Sequence, residues 1–170
     1  MKADALANLR VLGAWLVRLP RGFFALVAIL WIALIAYLSS QTLEEAPGGP
    51  LWRFLGNGVH VPLFGLLALW VALALPRRAS DRWPRLSLST GALIVLFVLL
   101  NGAMDEWHQS TTGRNASVSD VLTDTVAASW VVVVASYVSR SEASAGGTRS
   151  RLWGGVAVCL VAVAIATFWF

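Results

Sequence analysis

Four stretches of this chain, residues 22–43, 54–76, 86–104 and 152–170, contain no Lys, Arg, Asp or Glu. A fifth, 121–139, is broken only by Asp124 near its start. Each is close to the roughly 20 residues that a helix needs to cross about 30 Å of hydrocarbon. Only 13% of the chain is charged and its mean hydropathy is +0.71, whereas a soluble domain carries about 25% charge. The expected fold is an all-α integral membrane protein, a helical bundle of five transmembrane helices with no soluble domain.

The charge is distributed unevenly across the loops. With the N-terminus in the cytoplasm, inner segments hold Lys2, Arg10, Arg18, Arg21, Arg77, Arg78, Arg82, Arg85, Arg140, Arg149 and Arg151. Outer segments hold only Arg53 and Arg114. Short loops with this bias set an N-in, C-out orientation by the positive-inside rule. The sequence pI near 10.2 therefore reads as a topology signal and a contact with anionic lipid, not as a nucleic-acid footprint. Glu44, Glu45, Asp105, Glu106, Asp120 and Asp124 all fall at the outer side. Acidic residues contribute little to orientation, so these six are expected to have functional or structural work.

The expected organisation is an N-terminal segment over 1–21, a membrane domain over 22–139, an inner linker over 140–151 and a fifth helix over 152–170. Spans within the membrane domain are placed at 22–39, 58–76, 86–105 and 120–138, with Pro62 early in the second, where proline does least harm. Leu6, Leu9, Leu12 and Leu16 recur at three or four residues, as in a short amphipathic helix lying on the inner surface. The first span is longer than a signal-peptide core and no cleavage site follows it, so it is expected to be retained. The linker is rich in Ser, Gly and Ala and is expected to be mobile. Cys159 is the single cysteine, which excludes an intramolecular disulfide.

Nearly all the outward chemistry lies between residues 101 and 125. Continuing the third span as a helix puts Asn101, Asp105, His108 and Gln109 on one face, with Glu106 about 100° away. Asp120 and Asp124 share a face at the start of the fourth span, and the short connection should bring the two polar faces together. Arg114 in that connection can bridge carboxylates or take an anionic ligand bidentately. His60 enters through the second span at the same level, and Ser39, Ser40 and Gln41 end the first one there. Ionisable groups at membrane depth are costly and mark function. Asp105, Glu106 and His60 are the candidates for acid–base work. Arg114, Gln109, His108, Asp120, Asp124, Gln41 and Ser40 are the candidates for ligand binding. A salt-bridge network closing the end of the hairpin is the structural alternative. His60 together with Asp105, Glu106 and His108 could ligate a divalent metal, but the spacing matches no recognised metal-ligand pattern, so no metal is expected, and no cofactor can be named.

The pattern resembles the VanZ-like family of small bacterial membrane proteins. The resemblance rests on Ser39-Ser40-Gln41 after the first span, His60 opening the second, and Asp105-Glu106-x-x-Gln109 ending the third. It continues through Gly113-Arg114-x-x-Ser117-x-x-Asp120-Val121-x-x-Asp124-Thr125, and covers roughly residues 25–138. Thr112 stands where the family commonly has Pro, and Asp124 where it often has Asn. Ala127, Ala128 and Ser129 replace glycines, which calls close helix packing at that point into question. The fifth span extends beyond the usual four-span core.

The family's name member is associated with low-level resistance to teicoplanin, a glycopeptide antibiotic acting on cell-wall precursors. The resemblance implies a protein of the bacterial cytoplasmic (inner) membrane acting at its outer surface. The expected function is ligand binding by the outward polar cluster, with membrane lipids as partners and a lipid-linked cell-wall precursor or a lipoglycopeptide as ligand. One alternative is an intramembrane enzyme acting on an anionic lipid, with Arg114 holding phosphate. A small transporter is the other, disfavoured because the span midpoints carry no charge and no inverted repeat is visible.

Overall fold

The computed structural model describes residues 4–41, 49–76, 83–111 and 116–168. It is helical, with no strand among the described residues: α1 (Ala5–Leu16), α2 (Arg21–Ser39), α3 (Pro50–Ala74), α4 (Leu88–Thr111), α5 (Val118–Val138) and α6 (Ala145–Phe168). The five helices α2 to α6 are each long and apolar enough to cross a membrane. Leu26, Ile29 and Leu30 on α2, and Leu93, Leu96 and Leu100 on α4, are exposed, the burial pattern of faces turned to lipid. The chain is a multi-pass membrane protein.

The helices overrun the uncharged stretches. Gly49, at φ +135°, turns the chain and Pro50 opens α3, a position where its missing N–H costs nothing. Pro62 therefore lies well inside α3 rather than in a first turn. It removes the donor that would have reached the Gly58 carbonyl, in the turn that holds His60. α4 carries the acidic motif inside the helix and continues to Thr111. The Ser/Gly/Ala-rich segment, expected as a linker to residue 151, is helical from Ala145. Its Thr148 is buried and donates to the Ser144 carbonyl at 2.9 Å.

α3 and α5 form the centre of the bundle; α3 packs against α2, α4, α5 and α6, and α5 against α1, α3, α4 and α6. Lipid tails are as apolar as leucine, so close approach of small residues drives association instead of hydrophobic burial. Ala68 on α3 and Ala127 and Ala128 on α5 are completely buried. Close packing therefore holds at Ala127 and Ala128, with the alanine methyls inside the core. Phe64, Leu67, Ile94 and Val98 complete that core, and Trp31 of α2 donates to the Leu63 carbonyl at 2.8 Å.

α1 crosses the end of the bundle where α3 and α5 finish. Asp4 caps it, accepting from the Leu6 and Ala7 amides at 3.0 and 3.4 Å. Leu6 is buried with Trp83, Ala135 and Val138, and Leu16 with Phe24 and Leu73. Leu12, expected on the same stripe, instead faces outward with Val11 and Trp15. Arg10 donates from Nη2 to the Arg140 carbonyl at 2.7 Å and from Nε to the Val138 carbonyl at 3.5 Å. A cation there satisfies carbonyls left over at the C-terminus of α5 and complements its dipole.

Two glycines let α6 lie close against α5, Gly147 at Tyr137 and Gly155 at Trp130. A Cβ on Gly155 would overlap the Trp130 indole, whose Nε1 donates to the Arg151 carbonyl at 3.2 Å. Gly155→Ala is expected to displace Trp130 and to cost about 1–3 kcal/mol, read as a lower unfolding temperature in detergent. Gly154→Ala, with nothing within 4 Å, is the control and leaves that temperature unchanged or slightly raised.

Candidate functional site

Away from α1, the end of α2, the first half of α3, the last turns of α4 and the first turns of α5 bring their polar side chains together. In the last turns of α4 the buried positions are Gly102, Asp105, Glu106 and Gln109. This differs from the face expected from the sequence. Glu106 turns inward, 5% exposed. His108 is only half-buried, and Asn101 bonds back to the Phe97 carbonyl at 2.8 Å. The offsets 0, 3, 4 and 7 are one helical stripe, and what selects it over the neighbouring stripe is the position of α5.

Each carboxylate has a distinct surrounding. Asp105 accepts from Ser39 Oγ at 2.5 Å and from Gln109 Nε2 at 2.9 Å. Gln109 Nε2 also reaches Glu106 Oε1 at 3.1 Å, so one amide ties two carboxylates together. Glu106 Oε2 accepts from the backbone N–H of Ser117 at 2.5 Å. Ser117 is the N-cap residue of α5, so an acid from α4 sits where the α5 dipole favours negative charge. That contact fixes the antiparallel hairpin expected from the short connection.

The second pairing joins the two central helices. His60 Nδ1 of α3 lies 2.9 Å from Asp124 Oδ1 of α5. The Asp124 side chain is 1% exposed and that of His60 15%. The imidazole stacks on Phe64 one turn further along α3, with centroids 5.8 Å apart and planes 7° from parallel. Asp124 Oδ2 is buried with no hydrogen-bond partner among the described residues. A Cβ on Gly102 would stand 2.6 Å from it. Gly102 thus lets the carboxylate lie directly against α4. Below this level the hydroxyls of Thr123, Thr125 and Ser129 bond back to carbonyls four residues earlier, which satisfies them without leaving the helix.

Most, but not all, of the expected residues converge. His60, Asp105, Glu106, Gln109, Asp120 and Asp124 do, and Ser39 joins them. Ser40 and Gln41 do not: both bond to the Tyr37 carbonyl, at 2.7 and 3.2 Å, and finish α2. Arg114, Thr112, Glu44 and Glu45 lie outside the described residues. Spacing along the chain does not single out Ser119, which is buried with its hydroxyl 2.5 Å from that of Ser117. Ser117 is the N-cap of α5 and Ser119 lies in its first turn, so small polar residues at a helix start are the available signal.

Beside the cluster a groove of about 270 Å³ runs between α2, α3 and α4. Ile32, Ile35, Phe64 and Met104 line it, with Asn101, Asp105 and His108 as its polar groups. A larger groove of about 690 Å³ lies at the opposite end of α4 and α5, among Leu88, Val95, Val132, Arg140 and Arg151. It is lined by no carboxylate or histidine, so size alone does not mark the chemistry of this protein.

A family model described as VanZ/LLP1 matches residues 24–139. The chain belongs to the VanZ/LLP1 family. The match takes in α2 to α5, and so every residue of the polar cluster, while α1 and α6 lie outside it. Neither the curated proteins nor the solved structures contain a match.

Gly102 couples the helix contact to the cluster. Gly102→Ala must push the Asp124 carboxylate off α4 while His60 holds it, at an expected cost of about 1–3 kcal/mol. Asp124→Ala removes the obstacle, so the double variant should be more stable than the sum of the two single losses by at least about 0.5 kcal/mol. Thermal or denaturant unfolding of the four proteins in detergent measures this coupling, and additivity would contradict the contact.

Proposed function

We propose that this VanZ/LLP1-family protein binds the polar headgroup of a membrane amphiphile in the buried cluster, with the apolar part lying in the adjoining groove. The observation that carries this reading is the position of Asp105. It is both a member of the buried hydrogen-bonded cluster and part of the wall of a groove that is otherwise mostly apolar. A ligand with a polar end and a hydrocarbon end fits that junction, because each part meets groups of its own kind. The positive-inside distribution of arginine supports an outer-surface position for the cluster, in what the family resemblance makes a bacterial cytoplasmic membrane. A lipid-linked cell-wall precursor, or the acylated glycopeptide associated with the family's name, has the required two-part chemistry. Arg114 is the cation that the sequence supplies for a phosphate.

The His60–Asp124 pair favours a second reading, an enzyme acting on such a lipid. A buried carboxylate on Nδ1 orients an imidazole and fixes its tautomer, leaving the other nitrogen for proton transfer. After Asp124, Glu106 and Asp120, each with an atom within 4.8 Å of a His60 ring nitrogen, would be its next titratable neighbours.

Binding is tested by native mass spectrometry of the detergent-purified protein with polyprenyl phosphate, phosphatidylglycerol and phosphatidylcholine. Asp105→Asn and Gln109→Leu are each expected to weaken retention of the preferred lipid by about 10–100-fold, the loss of one charge-assisted hydrogen bond. Unchanged retention in both would overturn the reading, and turnover of the bound lipid would favour the enzyme. Orientation has its own test on a Cys159→Ser background. Ser110→Cys should react with an impermeant maleimide in intact cells, and Ser141→Cys only after permeabilisation.

A further inference from the structure

The cluster is unbalanced in charge. Among its described residues, Glu106, Asp120 and Asp124 stand close to a single imidazole, and Asp105 is tied to Glu106 through Gln109. Carboxylates taken out of water are costly unless paired, and four of them repel the anionic headgroups that abound in a membrane.

Three of these groups meet in the way metal ligands do. His60 of α3, Glu106 of α4 and Asp120 of α5 each offer one ligand atom, and the three atoms lie within 4.8 Å of one another. They come from three helices, which is why no spacing in the sequence announces them. We infer that His60, Glu106 and Asp120 form a binding site for a divalent first-row cation, of the manganese or zinc kind, at the headgroup end of the bundle.

An independent observation supports this: the surroundings of the ligands are already those of a metal site. A ligating histidine almost always gives its other ring nitrogen to a carboxylate, which sets its tautomer and orientation. His60 Nδ1 is so engaged with Asp124 Oδ1 at 2.9 Å, leaving Nε2 for the metal. Glu106 is held from both sides, by Gln109 Nε2 at 3.1 Å and the Ser117 amide at 2.5 Å. Asp124 is a positioning residue, and its buried Oδ2 has no hydrogen-bond partner among the described residues. One imidazole and two carboxylates select against soft, thiolate-seeking ions and suit manganese or zinc. Three protein ligands leave positions open for water or a headgroup oxygen. A bound dication would become the largest local charge and would turn an anionic pocket into one that accepts a phosphate or carboxylate.

This inference deepens the headgroup reading of the same cluster, and the experiment separates the two. The full chain, stripped with chelator in detergent, is titrated with Mn²⁺ and with Zn²⁺. One equivalent should bind, and pulsed EPR of the Mn²⁺-loaded wild type should show ¹⁴N coupling from His60. His60→Gln, Glu106→Gln and Asp120→Asn should each weaken binding at least about 10-fold, and Asp124→Asn about 10–100-fold. Should any variant fail to fold, the ¹⁴N coupling in the wild type still decides. No stoichiometric binding, bound manganese without ¹⁴N coupling, or unchanged affinity in well-folded variants overturns the site. Lipid retention is measured with and without chelator alongside. Lipid held while no metal binds sinks the metal site alone, whereas metal bound with no lipid held, with or without chelator, sinks the headgroup reading alone.

Discussion

Hydrocarbon offers no hydrogen-bond partner, and the arrangement of this molecule follows from that. Backbone groups must be satisfied within each helix, which makes five helices of the five apolar stretches. Side-chain polarity is then tolerated in only two ways. A hydroxyl can return to its own backbone, as Thr123, Thr125 and Ser129 do on α5. A carboxylate, amide or imidazole needs partners on neighbouring helices. The polar side chains of α2, α3, α4 and α5 therefore collect at one end, where Ser39, His60, Gln109 and the Ser117 amide are the partners.

The same pairing is what ties the helices together. Association in lipid has little hydrophobic driving force, so it relies on close approach and on interhelical polar contacts. Both occur on the α3–α5 axis: Ala68, Ala127 and Ala128 are fully buried in the middle, and His60 meets Asp124 towards the polar end. Gly102 on α4 admits the Asp124 carboxylate, so a third helix is fitted to the same contact. At the far end Arg10 closes the C-terminus of α5. The polar cluster thus draws on four helices and holds their ends in register.

The fold was largely legible because hydropathy and membrane thickness constrain it together. Helix ends were less so. α3 starts at Pro50 and α6 at Ala145, since polar residues at a membrane surface extend a helix without breaking the apolar run that announces it. The site was legible in its membership and misread in its stereochemistry. Helical periodicity placed Asp105 and Gln109 on one stripe, but Glu106 and His108 flank it at similar angles, and only the seat of α5 decides which turns inward. Ser39 was one of three candidates at the end of α2. The register of that helix on α4 brings Ser39 to Asp105 and sends Ser40 and Gln41 to the Tyr37 carbonyl.

By itself the sequence determined a helical membrane protein with its chemistry confined to residues 39–60 and 101–124, because uncharged length and the placement of charge are one-dimensional properties. Tertiary structure decided which side chains meet. His60 with Asp124, Glu106 with the α5 N-terminus, and His60 with Glu106 and Asp120 are pairings between helices. No spacing along the chain encodes them, since they depend on the rotation and height of each helix against its neighbours, which contacts such as Gly102 against Asp124 and Ala127 against α3 fix in three dimensions.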